Sequence, residues 1–236
     1  GFPVAMSHAN NGTSDLNAWV RLFGEFAELS GHPMDPGDLY GLLYRNSLKG
    51  DADCGGLLSY GYYSGEGVVH LNEGRPLFAR TPDASFTLAN FMRSHLYASL
   101  GAVKLGLDIL FKQEGVTVDR IMGHGGLFKT PGVGQRYLAA AVNAPVTVME
   151  TAEEGGPWGM ALLAAYMLMK REAEKEGQAA QAPSLEQWLE DEIFASQSGK
   201  TTIEPTADEV QGFETFTERY RSALPTEKAA VDTMRW

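Results

Sequence analysis

Apolar residues recur along much of this chain at intervals of three and four, the spacing that places them on one face of an α-helix. The pattern predicts a helix over residues 15–29, a second over 36–48 and a long third over 88–113. Ser14 precedes the first as its predicted N-cap. Its predicted buried face is Leu16, Trp19, Phe23 and Phe26, and that of the third helix is Leu96, Leu100, Val103, Leu107 and Leu110.

The middle of the chain alternates between short apolar runs and helical periods. Predicted strands over residues 116–122 and 145–150 each lead into a glycine-containing turn and then into a predicted helix, over 133–142 and 158–176. Strands joined through helices run parallel, so this order predicts parallel strands in an α/β sheet.

The remaining segments give weaker signals. Residues 3–6 are typical of the end of a strand, whereas residues 51–66, rich in glycine and tyrosine, indicate a strand or loop, and residues 75–85 a loop. Two late helices are predicted from capping boxes, Ser184 with Gln187 and Thr206 with Glu209.

Composition excludes several classes of function. The chain has 236 residues with 19 Lys plus Arg against 30 Asp plus Glu, and this net charge of −11 disfavours nucleic acid and anionic membranes as partners. The longest apolar run, residues 160–169, is too short to span a bilayer. The single cysteine excludes an internal disulfide and suits a cytoplasmic location. The five histidines show no metal-binding spacing, so no metal site is predicted.

Two glycine turns, residues 123–126 and 151–157, are the strongest candidates for chemistry. Glycine lets a flat ring or a phosphate approach the backbone closely, and the helix after the Gly125–Gly126 turn adds free N–H groups and partial positive charge. Both turns would open on the carboxyl edge of a parallel sheet, where ligands bind in α/β proteins. Spacing alone favours an alternative at each turn, in which the glycines serve only tight packing.

Four motifs occur in an order that resembles a known family. They are residues 17–20 (NAWV), residues 56–66 ending in Ser-Gly-Glu, Gly125–Gly126 with Lys129, Thr130 and Gln135, and residues 150–165. Over about residues 3–224, the chain resembles the C-terminal domain of the FGGY carbohydrate kinases, which belong to the actin-like ATPase superfamily.

The resemblance implies an actin-like ATPase, or ribonuclease H-like, domain with a mixed sheet flanked by helices. All 236 residues would form the nucleotide-side domain of a sugar kinase that phosphorylates a pentulose, xylulose or ribulose, with ATP and Mg²⁺. The family's nucleotide contacts fall here on Ser14, Ala18, Gly125, Gly126, Lys129 and Thr130.

The same resemblance places the sugar pocket and the catalytic base in an N-terminal domain, so this chain carries no predicted catalytic residue. We expect a fragment that is inactive alone, and a possible homodimer through an unpaired strand edge near residues 3–6. Two alternatives remain open at this stage: a non-catalytic actin-like module that binds nucleotide or a protein partner, and an unrelated α/β binding domain.

Overall fold

The structure is a computed structural model that describes residues 4–149, 155–178, 180–195 and 199–235. The chain forms two compact units. The first comprises Gly1–Ile121, Thr130–Val146 and Ile203–Trp236, and the second comprises Met122–Lys129 and Thr147–Thr202. In the described residues, no helix is both long enough and apolar enough to cross a membrane.

The first unit is mostly helical. Its helices are α1 (Ser14–Leu29), α2 (Pro36–Ser47), α3 (Leu88–Asp108), α4 (Val133–Val142), α7 (Ala207–Ser222) and α8 (Leu224–Thr233). Local chemistry sets two of their starts. The Asp35 carboxylate accepts the Gly37 N–H ahead of a proline at the first position of α2, and the Thr87 hydroxyl accepts the Asn90 N–H at the start of α3.

Helix α3 is the centre of this unit, since α1, α2, α4 and α7 all pack against it. Its Met92, Leu96 and Tyr97 are fully buried, and the Tyr97 ring lies 4.2 Å from that of Phe213 in α7. Strands β1 (Leu58–Tyr60) and β2 (Leu77–Ala79) form an antiparallel pair beside α3, with Ser59 opposite Phe78. The prediction of a loop over residues 75–85 missed β2.

Three short strands, β3 (Ile121–Gly123), β4 (Val146–Met149) and β5 (Lys200–Ile203), form a sheet in the order β3-β4-β5. The second unit also contains α5 (Gly155–Lys175) and α6 (Leu185–Trp188), which continues as a wider π-turn over Leu189–Phe194. One side of α5 packs on this region, because the Tyr166 ring lies 5.6 Å from that of Trp188 and its hydroxyl donates to the Pro183 carbonyl at 2.9 Å.

Several predictions from the sequence are confirmed. The helices over 15–29, 36–48 and 133–142 form within one residue of their predicted bounds, and the long helix ends at Asp108 with a π-turn over Ile109–Gln113. The Ser184–Gln187 capping box is present with both of its hydrogen bonds, and the Thr206 hydroxyl accepts the Glu209 N–H.

Other predictions are wrong. Residues 4–6 are not a strand, so the unpaired edge on which the homodimer was predicted does not form over the described part of that segment. The strand predicted over 116–122 is confined to β3. The second turn, predicted over 151–157, is already helical from Gly155, and residues 150–154 lie outside the described residues.

Burial also departs from the helical pattern in α1. Leu16 is buried, Trp19 and Phe23 are half-buried, and the Phe26 side chain is 71% exposed. The spacing of Phe26 continues the apolar face, but that face is covered only at the amino-terminal end of the helix.

Candidate nucleotide-binding segments

The first glycine turn contains one position, Gly125, whose backbone conformation favours glycine. At a second position, Gly126, the surface beside the backbone is open. Gly125 adopts φ 103° and ψ −178°, which a side chain would strain. Gly126 begins a 3₁₀ turn in which the Lys129 N–H donates to the Gly126 carbonyl at 3.2 Å. A Cβ added at Gly126 would meet nothing within 4 Å. Packing within the chain therefore does not require glycine at position 126.

Gly123, at the end of β3, has a different role. A Cβ there would come within 2.7 Å of the Phe128 ring, so this glycine lets the ring of the following turn pack on the strand end. Tight packing therefore explains why residue 123 is glycine. It does not explain the glycine at position 126, where a side chain would have room.

Thr130 and Gln135 anchor the chain after the turn. The Thr130 carbonyl accepts the Val133 N–H at 3.3 Å where α4 begins, and the Thr130 side chain is buried. The Gln135 side-chain amide donates to the Val146 carbonyl at 2.7 Å and ties α4 to β4. Thr130 thus offers little surface to a ligand, whereas Gly126 and Lys129 are exposed.

The other predicted contacts lie in the first turns of α1. Ser14 is the first helical residue rather than the N-cap, because Thr13 occupies the cap position and makes no side-chain cap bond. Ser14 is exposed and Ala18 half-buried, and their spacing of four places them on one side of the helix. The N–H groups of this first turn have no partner within the helix, so they can donate to an anionic or hydroxylated ligand.

The six predicted residues divide between the two units. Ser14, Ala18 and Thr130 belong to the first unit, and Gly125, Gly126 and Lys129 belong to the second. Of these six, only Thr130 is buried.

A buried polar cluster that the sequence patterns did not predict fixes α1. His95 Nδ1 lies 2.8 Å from the Ser59 hydroxyl and 3.3 Å from an Asp15 carboxylate oxygen, and Trp19 donates to the same oxygen at 3.2 Å. Both polar partners meet the same ring nitrogen of His95. A Ser-His-Asp triad needs them on opposite nitrogens, so this cluster cannot activate Ser59 as a nucleophile.

A second missed cluster surrounds Glu66, the last residue of the Ser-Gly-Glu motif. Glu66 is 1% exposed, and its carboxylate accepts N–H groups from Asn10 and Asn11. The tripeptide motif was a usable signal for Glu66, but its partners lie 55 or more positions away and follow no local pattern.

Across the described ranges, no group of three or more His, Cys, Asp or Glu side chains could hold a metal ion. The cavities described in the first unit include one of about 530 Å³ beside Lys104, Asp108 and Glu214 and one of about 540 Å³ beside Arg75 and Lys228. None of the six predicted nucleotide contacts lines either of these two cavities.

Comparison with known proteins identifies the family. The chain shares the actin-like ATPase fold of solved xylulose kinases, and the family model described as "FGGY family of carbohydrate kinases, C-terminal domain" matches residues 2–168. This chain belongs to the FGGY family of carbohydrate kinases. The prediction of family and fold from the sequence is therefore confirmed.

Solved structures support the fold at low sequence identity. The chain is similar to xylulose kinase from Lactobacillus acidophilus, with 18% identity and a TM-score of 0.64, over 95% of this chain and 39% of that one. It is also similar to gluconate kinase from Lactobacillus acidophilus, with 16% identity and a TM-score of 0.61, over 92% of this chain and 38% of that one.

A third similar structure is Plasmodium falciparum glycerol kinase with ADP, at 13% identity and a TM-score of 0.58, over 88% of this chain and 37% of that one. The chain thus spans less than two fifths of the length of these kinases. Among curated proteins, the sequence has no match.

Proposed function

We propose that this chain supplies the adenosine-binding half of the cleft of a kinase that transfers the γ-phosphoryl group of ATP, with Mg²⁺, to a hydroxyl of a pentulose. The observation that carries the proposal is the open surface at Gly126 next to the glycine-only conformation of Gly125. The residues proposed to contact the nucleotide are Ser14, Ala18, Gly125, Gly126, Lys129 and Thr130.

The chemistry of this half-cleft is binding and orientation rather than bond-making. Phosphoryl transfer is accelerated mainly by alignment of the reactants and by stabilisation of charge on the transferred group. A methyl-free face at Gly126 lets a flat adenine ring approach the backbone, and exposed Lys129 adds positive charge to the same turn. No residue of this chain is assigned as the catalytic base.

Family membership supports the reaction class, and the xylulose kinases among the similar structures support the substrate class. Xylulose kinases occur among them, together with gluconate and glycerol kinases. A pentulose, xylulose or ribulose, is the substrate we propose. We further propose that residues 1–236 act as one nucleotide-side domain, with the sugar pocket and catalytic base on an N-terminal domain, in the cytoplasm.

Calorimetric titration with ADP, and with ATP plus Mg²⁺, tests this function in matched variants. Gly126→Ala and Gly67→Ala each add one methyl group that meets nothing within 4 Å, and neither glycine has a left-handed φ. Neither substitution strains the fold, so only a ligand lying on residue 126 can distinguish them.

We expect ADP to bind the wild type and the Gly67→Ala variant equally, and the Gly126→Ala variant at least about tenfold more weakly, since a methyl group in a close contact forces the ring away. Equal affinity in all three, or no binding by the wild type, would contradict the proposed site. Phosphorylation of xylulose or ribulose by this chain alone would refute its proposed lack of catalytic activity.

A further inference from the structure

The segment leading into α1 is held from one side by a buried carboxylate. One oxygen of Glu66 accepts the Asn10 backbone N–H at 2.9 Å, the Asn11 backbone N–H at 3.3 Å and the Asn11 side-chain amide at 3.2 Å. Glu66 is 1% exposed and Asn11 is 7% exposed. Hydrogen bonds to a buried carboxylate are strong, and losing one leaves a buried group unsatisfied.

Asn11 also accepts hydrogen bonds from the segment that carries Glu66. Its side-chain carbonyl oxygen accepts the backbone N–H groups of Tyr63 at 3.0 Å and Ser64 at 3.1 Å. Residues 10–11 and 63–66 therefore hold each other through at least five hydrogen bonds in the same small region. We call this set of contacts the Asn11–Glu66 clasp.

A second anchor is Asp15, the residue that directly follows Ser14. Asp15 is 7% exposed and its carboxylate is held by His95 of α3 and by Trp19. Ser14 thus stands between Asn11, which the clasp fixes, and Asp15, which α3 fixes. Ser14 is itself exposed, so its backbone is held from both sides while its side chain remains open to a ligand.

We propose that Glu66 is a positioning residue for the adenine nucleotide: through the Asn11–Glu66 clasp it sets the place of Ser14 and of the free N–H groups in the first turn of α1. This inference rests on the proposed function. Glu66 itself touches no nucleotide, because it is buried against residues 10 and 11. Without the clasp, the start of α1 samples several positions. The nucleotide must then order this segment when it binds, and the free energy that this costs lowers its affinity.

The test combines hydrogen–deuterium exchange with ADP titration of the same variants of this chain. Glu66→Gln keeps the size of the side chain but removes the charge that strengthens three hydrogen bonds. Asn11→Ala is the second, milder variant in case Glu66→Gln does not fold, because it spares the backbone N–H bonds to Glu66. Glu73→Gln is the matched control, since Glu73 is exposed and pairs with Arg75 at the surface.

We expect amide exchange over residues 10–17 to be about tenfold faster in Glu66→Gln, and ADP to bind about tenfold more weakly, with smaller changes in the same direction in Asn11→Ala. Glu73→Gln is expected to match the wild type in both. Unchanged exchange would overturn the clasp, and faster exchange with unchanged ADP affinity would overturn its role in nucleotide positioning. Absence of ADP binding by the wild type instead overturns the proposed function, and with it this inference, while exchange still reports on the clasp.

Discussion

Arg219 of α7 and Asp53 are joined at 2.7 Å through a guanidinium nitrogen and a carboxylate oxygen, although 166 positions separate them in the chain. A second guanidinium nitrogen of Arg219 donates to the backbone carbonyls of Asp53 and Leu57, each at 3.0 Å. Arg219 lies beyond residue 168, where the match to the family model ends. This helix is therefore built into the same unit as the Ser-Gly-Glu motif.

We predict that Arg219→Ala lowers the free energy of unfolding by about 2 kcal/mol, because three hydrogen bonds from a charged donor are lost. Arg219→Lys should recover only part of this, since an ammonium group cannot reproduce the planar fork. Urea unfolding followed by circular dichroism measures both. Arg21→Ala, which alters an exposed arginine of α1, is the control and should lie within about 0.5 kcal/mol of the wild type. An Arg219→Ala variant as stable as that control would contradict the role of this contact.

Packing of α7 on α3 gives a second prediction. Phe213 is fully buried with its ring 4.2 Å from that of Tyr97, so Phe213→Ala should cost about 3–5 kcal/mol of stability by opening a cavity. Phe26 is 71% exposed, so Phe26→Ala should change the free energy of unfolding by no more than about 0.5 kcal/mol. Paired denaturation curves test both, and a similar loss at the two positions would show that α1 is covered along its whole length.

These two phenylalanines show what the sequence could reveal about the fold. Local signals predicted both helices, apolar spacing for α1 and a capping box for α7, but the same spacing placed Phe26 on a buried face. Whether a face is covered depends on elements distant in the chain. Strands β2 and β5 were missed for the same reason, since each is three or four residues long and is defined by its neighbour rather than by alternation.

The candidate site was likewise predictable only in part. The Gly125–Gly126 turn and the Ser-Gly-Glu motif are local patterns, and they predicted the segments that carry Gly126 and Glu66. The contact between Glu66 and Asn11 could not be predicted, because it joins two polar loops 55 positions apart. Ser14 was assigned as an N-cap from its residue type, and the backbone instead begins the helix one residue earlier, with Thr13 at the cap.

A network of charged side chains at the end of α3 predicts sensitivity to acid. Asp108 is 6% exposed and pairs with Lys104, with Lys112 at 3.2 Å and with Arg221 at 3.3 Å, while Glu214 pairs with Lys112 at 2.6 Å. Burial acts to raise the pKa of Asp108, but hydrogen bonds from Lys104 and Lys112 outweigh it and lower that pKa below its usual 3.8.

Because the pKa of Asp108 is lower in the folded chain, its stabilisation is complete above the unfolded value near pH 4 and is lost as pH falls through the folded pKa. Asp108→Asn should therefore lose up to about 3 kcal/mol at pH 7, because it leaves Lys104 buried with less compensation. Its acid unfolding should also be shallower below pH 4. Chemical denaturation at several pH values measures this, and an unchanged acid profile would refute it.

Glu227 of α8 predicts the opposite dependence on pH. Burial raises the pKa of Glu227, and the Arg75 backbone N–H, which donates to it at 2.6 Å, offsets this only in part. A folded pKa above the unfolded 4.5 means that its contribution is complete below pH 4.5 and is lost as pH rises through the folded value.

We therefore expect Glu227→Gln to flatten the decline in stability between about pH 4.5 and pH 7, because the amide has no charge to bury. Unfolding midpoints at three pH values across this interval provide the measurement, with Glu73→Gln as an exposed control. A decline in Glu227→Gln as steep as in the wild type would show that Glu227 does not titrate in this range.

The location of the adenosine site is the central claim, and photolabelling with 8-azido-ATP tests it most directly. Cleavage after Arg120 and Lys129 releases residues 121–129, which contain Gly125 and Gly126, as one tryptic peptide. We predict that this peptide carries label that ADP competes away, and that Gly126→Ala reduces the label while Gly67→Ala does not. Label that ADP displaces only from other peptides, or no such label at all, would contradict the nucleotide site proposed here.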